Sequence, residues 1–320
     1  AYISDQNNKK IIDYNINPLH LVNYSTSIDK QIKWNDLKKN IFKHTKIKAA
    51  IPYRTSYYNK NWGFCVTHKQ YEILSKVKGP LKVFIKSSFK NGYLNYGEKI
   101  IKGKSKKEIL ISSYICHPHM ANDSLSGVIL AMYLARNLSN LKNLKYTYRF
   151  VFVPETIGAL TFLKNNFKNN KNIFCGLNVT TVGGTGLFGY KKTWNEHHIL
   201  NSLIEDTFSE KKIKYLRYKF DVNGSDERQY SSPGFRINIA TISKDKYYEY
   251  PYYHTSLDDL NYVKGSNIFK SFLIYRSLIN KIENLTFYKN NVLYGEPMLS
   301  KRNLYPKLGG HILPKNIKNT

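Results

Sequence analysis

The chain is poor in cysteine, with three among 320 residues. Cys65, Cys116 and Cys175 lie far apart and none forms a CxxC pair, which argues against a disulfide framework or a structural zinc knuckle and fits a reducing compartment. Long apolar runs are also missing. No stretch suits a membrane span or the apolar segment of a signal peptide, so a cytoplasmic protein without a membrane partner is expected. Acidic residues are scarce, 22 against 50 Lys and Arg, for a net charge of +28. Such a balance raises the question of nucleic acid, because basic side chains that neutralise phosphates dominate those affinities. Arginine, however, supplies only eight of the 50, and the lysines are spread along the whole chain among Asn, Ile and Tyr. With no zinc-finger, RNP or helix-turn-helix signature beside them, they read as a basic, solvated surface, and no nucleic-acid partner is expected. An initiator Met is absent too, and a native N-terminal piece ahead of Ala1 is the expectation.

What is present suits one large core and a smaller satellite, given the length and 42% hydrophobic content. Residues 1–97 hold short aromatic and β-branched segments broken by Gly, Pro and Asn: 51–58, 62–67, 81–86 and 92–97. They read as a β-rich, lid-like accessory domain, with helices near Trp34 to His44 and Lys69 to Leu74. Residues 98–290 alternate strand, loop and helix. Strands are predicted at 108–115, 146–153, 172–182 and 238–242, and helices at 126–141, 158–165, 197–209 and 268–285. This pattern gives an α/β fold, a mostly parallel sheet flanked by helices. Residues 291–320, including Leu304 to Gly310, read as an extended tail with turn residues that packs on the core or reaches a neighbouring subunit, leaving a homo-oligomer open.

Three segments follow strand-like runs in that core: 117–123 (His-Pro-His-Met-Ala-Asn-Asp), 154–158 (Pro-Glu-Thr-Ile-Gly) and 253–258 (Tyr-His-Thr-Ser-Leu-Asp). In such sheets ligands collect beyond the carboxyl ends of the strands. Together the segments offer a divalent metal two imidazoles and a carboxylate, with a second carboxylate left to activate water. Each has a plainer reading. Asn122, Asp123 and Ser124 suit a helix cap, Glu155 a helix-start charge, and His254 a surface loop. His119 reads as a solvent-exposed neighbour of His117.

The same stretches, with 224–234 (Gly-Ser-Asp-Glu-Arg-Gln-Tyr-Ser-Ser-Pro-Gly) and 249–258, resemble the DUF4910 aminopeptidase-like family, a divergent branch of the M28 zinc aminopeptidase clan. Residues 21–25, 51–56 and 62–65 resemble the DUF2172 β-domain inserted in such proteins. The resemblance implies a zinc aminopeptidase/phosphorylase-hydrolase-like core and a zinc-dependent hydrolase of peptide or amide bonds. By position it makes His117 and His254 zinc ligands, Asp123 the carboxylate that bridges two zincs, and Glu155 the general base. Two departures stand out. Thr156 replaces a ligand Glu and Thr180 a ligand Asp, so one zinc is expected in place of two. Family members also carry helical sequence before the β-domain and a winged-helix-like region after the core, and a shortened member is the expectation.

The implied mechanism has zinc lowering the pKa of its water, Glu155 taking the proton, and attack on a polarised carbonyl. Arg228 could grip a substrate carboxylate or phosphate, or pair internally with Asp226 or Glu227. Tyr230 could donate to the oxyanion, and Asp226 could bind substrate or orient a ligand histidine. The tyrosines at 247, 248, 250, 252 and 253 line a substrate pocket or simply pack. Two alternatives stay open: a catalytically inactive binding module, and a single-zinc amidohydrolase or transferase acting on a non-peptide metabolite.

Overall fold

The computed structural model describes residues 1–288, 290–295 and 298–304. Residues 1–283 form one compact unit, and the stretch from Asn284 forms another.

The first 85 residues build two small sheets. Strands β1 (Tyr2–Ser4), β2 (Lys10–Asp13), β3 (Ile28–Ile32) and β6 (Leu81–Ile85) assemble in the order β2-β1-β6-β3 with antiparallel pairing. Strands β4 (Ile41–Lys43) and β5 (Phe64–Val66) pair in parallel. Alternate residues of β6 are buried, so Leu81, Val83 and Ile85 join Ile3, Ile12 and Leu74 in a core of their own. Helix α2 (His68–Lys76) starts at a reciprocal capping box between Thr67 and Gln70. The helix expected from Trp34 to His44 is a single turn, α1 (Trp34–Leu37), followed by a 3-10 turn and β4. No side chain caps its start, and β-branched Ile41 opens the strand. The expected strand over 51–58 forms only isolated bridges, Pro52 to Thr255 and Thr55 to Asn23. Proline has no N–H to extend a ladder.

The larger sheet holds β7 (Gly97–Ile101), β8 (Glu108–Tyr114), β9 (Thr147–Val153), β10 (Ile173–Val179), β11 (Phe188–Lys191), β12 (Tyr215–Tyr218) and β13 (Ile239–Ser243), in the order β12-β11-β13-β10-β8-β9-β7. Its centre is parallel, while β7 and β11 run antiparallel to β9 and β13. The fold class is thus the expected α/β one, with a mixed sheet. The sequence pattern missed β7, β11 and β12, which are four or five residues each and carry no long apolar run.

Every residue of β8 is buried, and its side chains alternate between faces. Ile109 and Ile111 face helices α3 (Gly127–Ser139), α5 (Ile199–Glu210) and α7 (Gly265–Glu283), whereas Leu110 faces α4 (Ile157–Asn165) and α6 (Glu227–Tyr230). Register sets the functional edge. Tyr114 at the end of β8 lies opposite Val153 at the end of β9, and Ser112 lies opposite Asn178 of β10. The segments that follow these strands therefore emerge side by side. Glycine at 127 lets the start of α3 press on β10, since a Cβ there would fall 2.2 Å from the Val179 carbonyl oxygen.

The second unit holds a 3-10 turn at Leu299–Arg302. Of the expected tail signal at 304–310, only Leu304 is among the described residues. None of the helices described is long and apolar enough to cross a membrane.

Candidate functional site

Three elements deliver the expected metal-binding side chains to one point. His117 follows β8, Asp123 lies in the buried turn before α3, and His254 comes from the loop after β13. Their candidate ligand atoms all lie within 4.8 Å of one another. His254 Nε2 is 3.1 Å from Asp123 Oδ2, and His117 Nε2 is 4.0 Å from the same oxygen. Asp123 Oδ2 and His254 Nε2 are enclosed and make no hydrogen bond of acceptable geometry. A buried carboxylate oxygen left without a donor is costly, and a cation is what such a site accommodates. The donor set and the orphaned oxygen fit a metal ion.

The other Asp123 oxygen is occupied. The Tyr114 phenol donates to Oδ1, and Thr180 Oγ1 donates to the phenol at 2.7 Å. Thr180 thus contacts a tyrosine that caps the carboxylate. Burial alone would raise the Asp123 carboxyl, but the imidazoles of His254 and His117 and the Tyr114 phenol outweigh it and hold it below the usual carboxylate range. Asp123 is not a helix cap, since no side chain caps the turn or α3.

Asp258 fixes the segment. It is fully buried and accepts the backbone N–H groups of Asn122 at 2.6 Å and Asp123 at 3.0 Å, together with the Tyr250 hydroxyl at 2.8 Å. Burial pushes its carboxyl up to about 6. The loop that brings His254 thereby also fastens the turn that brings Asp123. A second clamp comes from the N-terminal half. Tyr53 N–H donates to the His254 carbonyl at 2.8 Å, Ile51 and Ser256 exchange two bonds, and the Tyr53 ring meets His254 edge-on at 4.9 Å. This holds His254 at a φ of 54°, where few non-glycine residues sit. Tyr53, Tyr114 and Asp258 were not singled out from the sequence; their partners lie far along the chain or on a different element.

Glu155 follows β9 and faces the cluster, with Oε2 3.9 Å from His117 Nε2 and its side chain one-quarter exposed. Burial raises its carboxyl above the usual range, against the pull of His117. It is not a helix cap; Thr156 holds that position at a φ of 65°, with its N–H on Asp226 Oδ1 at 2.7 Å. Cys116 accepts the Glu155 N–H at 3.2 Å, and desolvation pushes its thiol up to about 12, so it is no thiolate nucleophile.

The remaining expected residues divide. Arg228 lines the cleft with Nη2 3.4 Å from Thr156 Oγ1 and pairs with neither Asp226 nor Glu227, the latter being bound to Lys191 at 3.1 Å. Asp226 is fully buried and reaches the Thr156 N–H, not an imidazole. Tyr230 is enclosed in the core with its hydroxyl on Ser112 at 2.8 Å, away from any oxyanion position in the cleft. His119 is exposed and outside the cluster. Of the tyrosines, 247, 248 and 253 line the cleft, while Tyr250 and Tyr252 pack with Tyr262. The cleft itself, about 1060 Å³, opens over His117, Glu155 and His254.

A helix-covered mixed sheet thus carries a His-Asp-His cluster and a free carboxylate beyond its parallel strands. The chain belongs to the family defined by the domain of unknown function DUF4910, whose model matches residues 7–285. It is 39% identical over 310 residues to a Clostridium acetobutylicum protein described provisionally as a polysaccharide biosynthesis protein with an aminopeptidase-like domain, covering 97% of this chain and 70% of that one. A crystal structure from the same organism, of a protein described provisionally as a peptidase, superposes with a TM-score of 0.87 at 38% identity over 94% of this chain and 71% of the other. The zinc aminopeptidase of Bacillus subtilis shares the fold, with a TM-score of 0.61 at 16% identity over 76% of this chain and 63% of that one.

Proposed function

We propose that the protein is a zinc-dependent hydrolase of peptide or amide bonds in which His117, Asp123 and His254 hold one ion and Glu155 is the general base. The observation that carries this reading is the convergence of two imidazoles on the orphaned Asp123 oxygen, with a raised carboxyl group beside them. Two imidazoles and one carboxylate are the usual protein complement of a catalytic zinc, and they leave a fourth position open. Capture of Asp123 Oδ1 by Tyr114 supports one ion over two, because a bridging carboxylate needs both oxygens. Zinc bound there would supply Lewis-acid polarisation of the scissile carbonyl and acidify water.

The chain's own residues do the rest. Glu155 takes a proton from the attacking water as its oxygen adds to the carbonyl carbon, then returns that proton to the departing nitrogen as the C–N bond breaks. Carboxylate and amine are the products. Burial of Glu155 suits both halves of this cycle, since a carboxyl raised above its ordinary range holds the proton better between them. Asp258 and Tyr53 keep the ligands in register.

The test is Glu155→Gln. It should keep zinc at the wild-type stoichiometry while kcat on an amide substrate falls about 100- to 10,000-fold, the usual worth of a general base. Unchanged turnover would remove Glu155 from the role.

A further inference from the structure

The charges lining the cleft bear on its substrate. Among the described residues Glu155 is the one carboxylate that lines it, against Arg228 and Lys60. The peptide N-terminus that an aminopeptidase recognises carries an ammonium one carbon from the scissile carbonyl. Bound with that carbonyl near Glu155, it needs a second carboxylate within reach. The position after the base holds Thr156, with the Arg228 guanidinium 3.4 Å from its hydroxyl. Asp226 lies beneath it, fully buried, with Oδ1 on the Thr156 N–H and Oδ2 enclosed without a hydrogen-bond partner, and burial raises its carboxyl well above the usual range. Arg228 has no hydrogen-bonded carboxylate partner among the described residues, though its charge acts on Glu155 and Asp226 from further off. A cation beside the scissile amide would meet a cation of the protein, at a like-charge cost.

The walls point the same way. Besides Pro154 and Ile157 no aliphatic side chain lines the cleft, so there is no pocket for a Leu- or Val-like side chain. Aromatic rings line it instead: Tyr24, Tyr57, Tyr58 and Phe89 from the N-terminal region, and Tyr248 and Tyr253 from the far side. Tyr58 is 96% exposed and Tyr248 and Phe89 64% each. Exposed ring faces with hydroxyls at their edges, flanked by the Asn23 and Asn59 amides, match a pyranose. The sugar's C–H face lies on the negative face of a ring, while its hydroxyls find donors and acceptors around the edge.

Resting on the hydrolase reading above, we infer that the substrate is an N-acylated amino sugar with no free ammonium beside the scissile amide. Water adds to the acyl carbon, the bond to the sugar nitrogen breaks, and a carboxylate and a free amino sugar leave.

The experiment uses the full chain loaded with zinc and checked by metal analysis. Acyl release from N-acetylhexosamines, free, as 1-phosphates and as nucleotide-linked sugars, is compared with cleavage of aminoacyl anilides that carry a free amine. The expected result is a kcat/KM higher by about 100-fold or more for an acetylated sugar. Tyr58→Ala and Tyr248→Ala should raise its KM about 10-fold at nearly constant kcat. Faster turnover of the anilides, no acyl release from any sugar by the zinc-loaded protein, or an unchanged KM in both tyrosine variants would overturn the inference while leaving a hydrolase in place. Failure to take up zinc would sink the hydrolase reading and this inference together, and the metal analysis tells the two cases apart.

Discussion

Tyr114 donates to one of the two Asp123 oxygens. Its phenol is buried and raised well above the ordinary range, by burial first and then by the carboxylate, so it remains a neutral donor to Oδ1. Tyr114→Phe would leave Asp123 Oδ1 and Thr180 Oγ1 enclosed without this partner. The expected loss is about 1–3 kcal/mol in urea unfolding of the metal-free protein. Zinc affinity should also fall about 10- to 100-fold by competition with a chelator, since the ligand loses the bond that orients it. No change in either would deny Tyr114 this part. His117, Asp123, Glu155 and His254 stood out in the sequence only as a set, through the order of their segments and the family resemblance, since each alone also reads as a cap, a helix-start charge or a surface residue; the structure brings them together. Tyr114 did not stand out, because a tyrosine in an apolar strand reads as core until Thr180 and Asp123 are seen around it.

At the level of elements, two packed features govern stability away from the cleft. Arg149 of β9 is buried between Glu108 of β8 at 2.6 Å and Glu98 of β7 at 2.5 Å, joining three neighbouring strands. Arg149→Met removes the shared cation and leaves a buried carboxylate unpaired, for an expected loss of about 3–5 kcal/mol by denaturant titration. A loss below ~1 kcal/mol would mean that water reaches both acids.

His20, packed between β5 and α2, sets an acid limit. Its Nδ1–H donates to the Cys65 carbonyl at 2.7 Å, and Nε2 accepts from the Gln70 amide at 3.3 Å, whose oxygen is held by Thr67. A proton on Nε2 would set donor against donor. Burial likewise lowers the His20 pKa, and that of His198. Below about pH 6.5 the unfolded imidazoles take up protons that the folded ones refuse, so stability falls as pH drops; above that value both states are neutral and the effect vanishes. The raised carboxyls of Asp258, Glu155 and Asp226 act in the opposite sense over the same range but are common to both proteins, so from pH 7.5 to 5.5 the urea midpoint of His20→Gln should gain on that of the wild type, and an unchanged difference would contradict this. The long helices were readable by their apolar periodicity, and the strands β8, β9, β10 and β13 because each is a buried, largely apolar run of five residues or more. The four-residue strands β11 and β12 were not, because partners alone make them strands.

For the whole molecule, the centre exists only where distant stretches meet. The parallel register of β8, β9 and β10 aligns the segments carrying His117, Glu155 and Thr180, and pairing of 51–53 with 254–256 brings the fourth side chain in from the far end of the chain. The order of these segments was visible in the sequence. Their convergence, and the Thr180–Tyr114–Asp123 hydrogen-bond chain, required coordinates. Zinc content per chain by elemental analysis of the purified protein tests the central claim most directly. The account predicts one ion in the wild type, retained in Glu155→Gln and lost in both His117→Ala and His254→Ala. Two ions in the wild type, or a single ion that survives both histidine replacements, would contradict it.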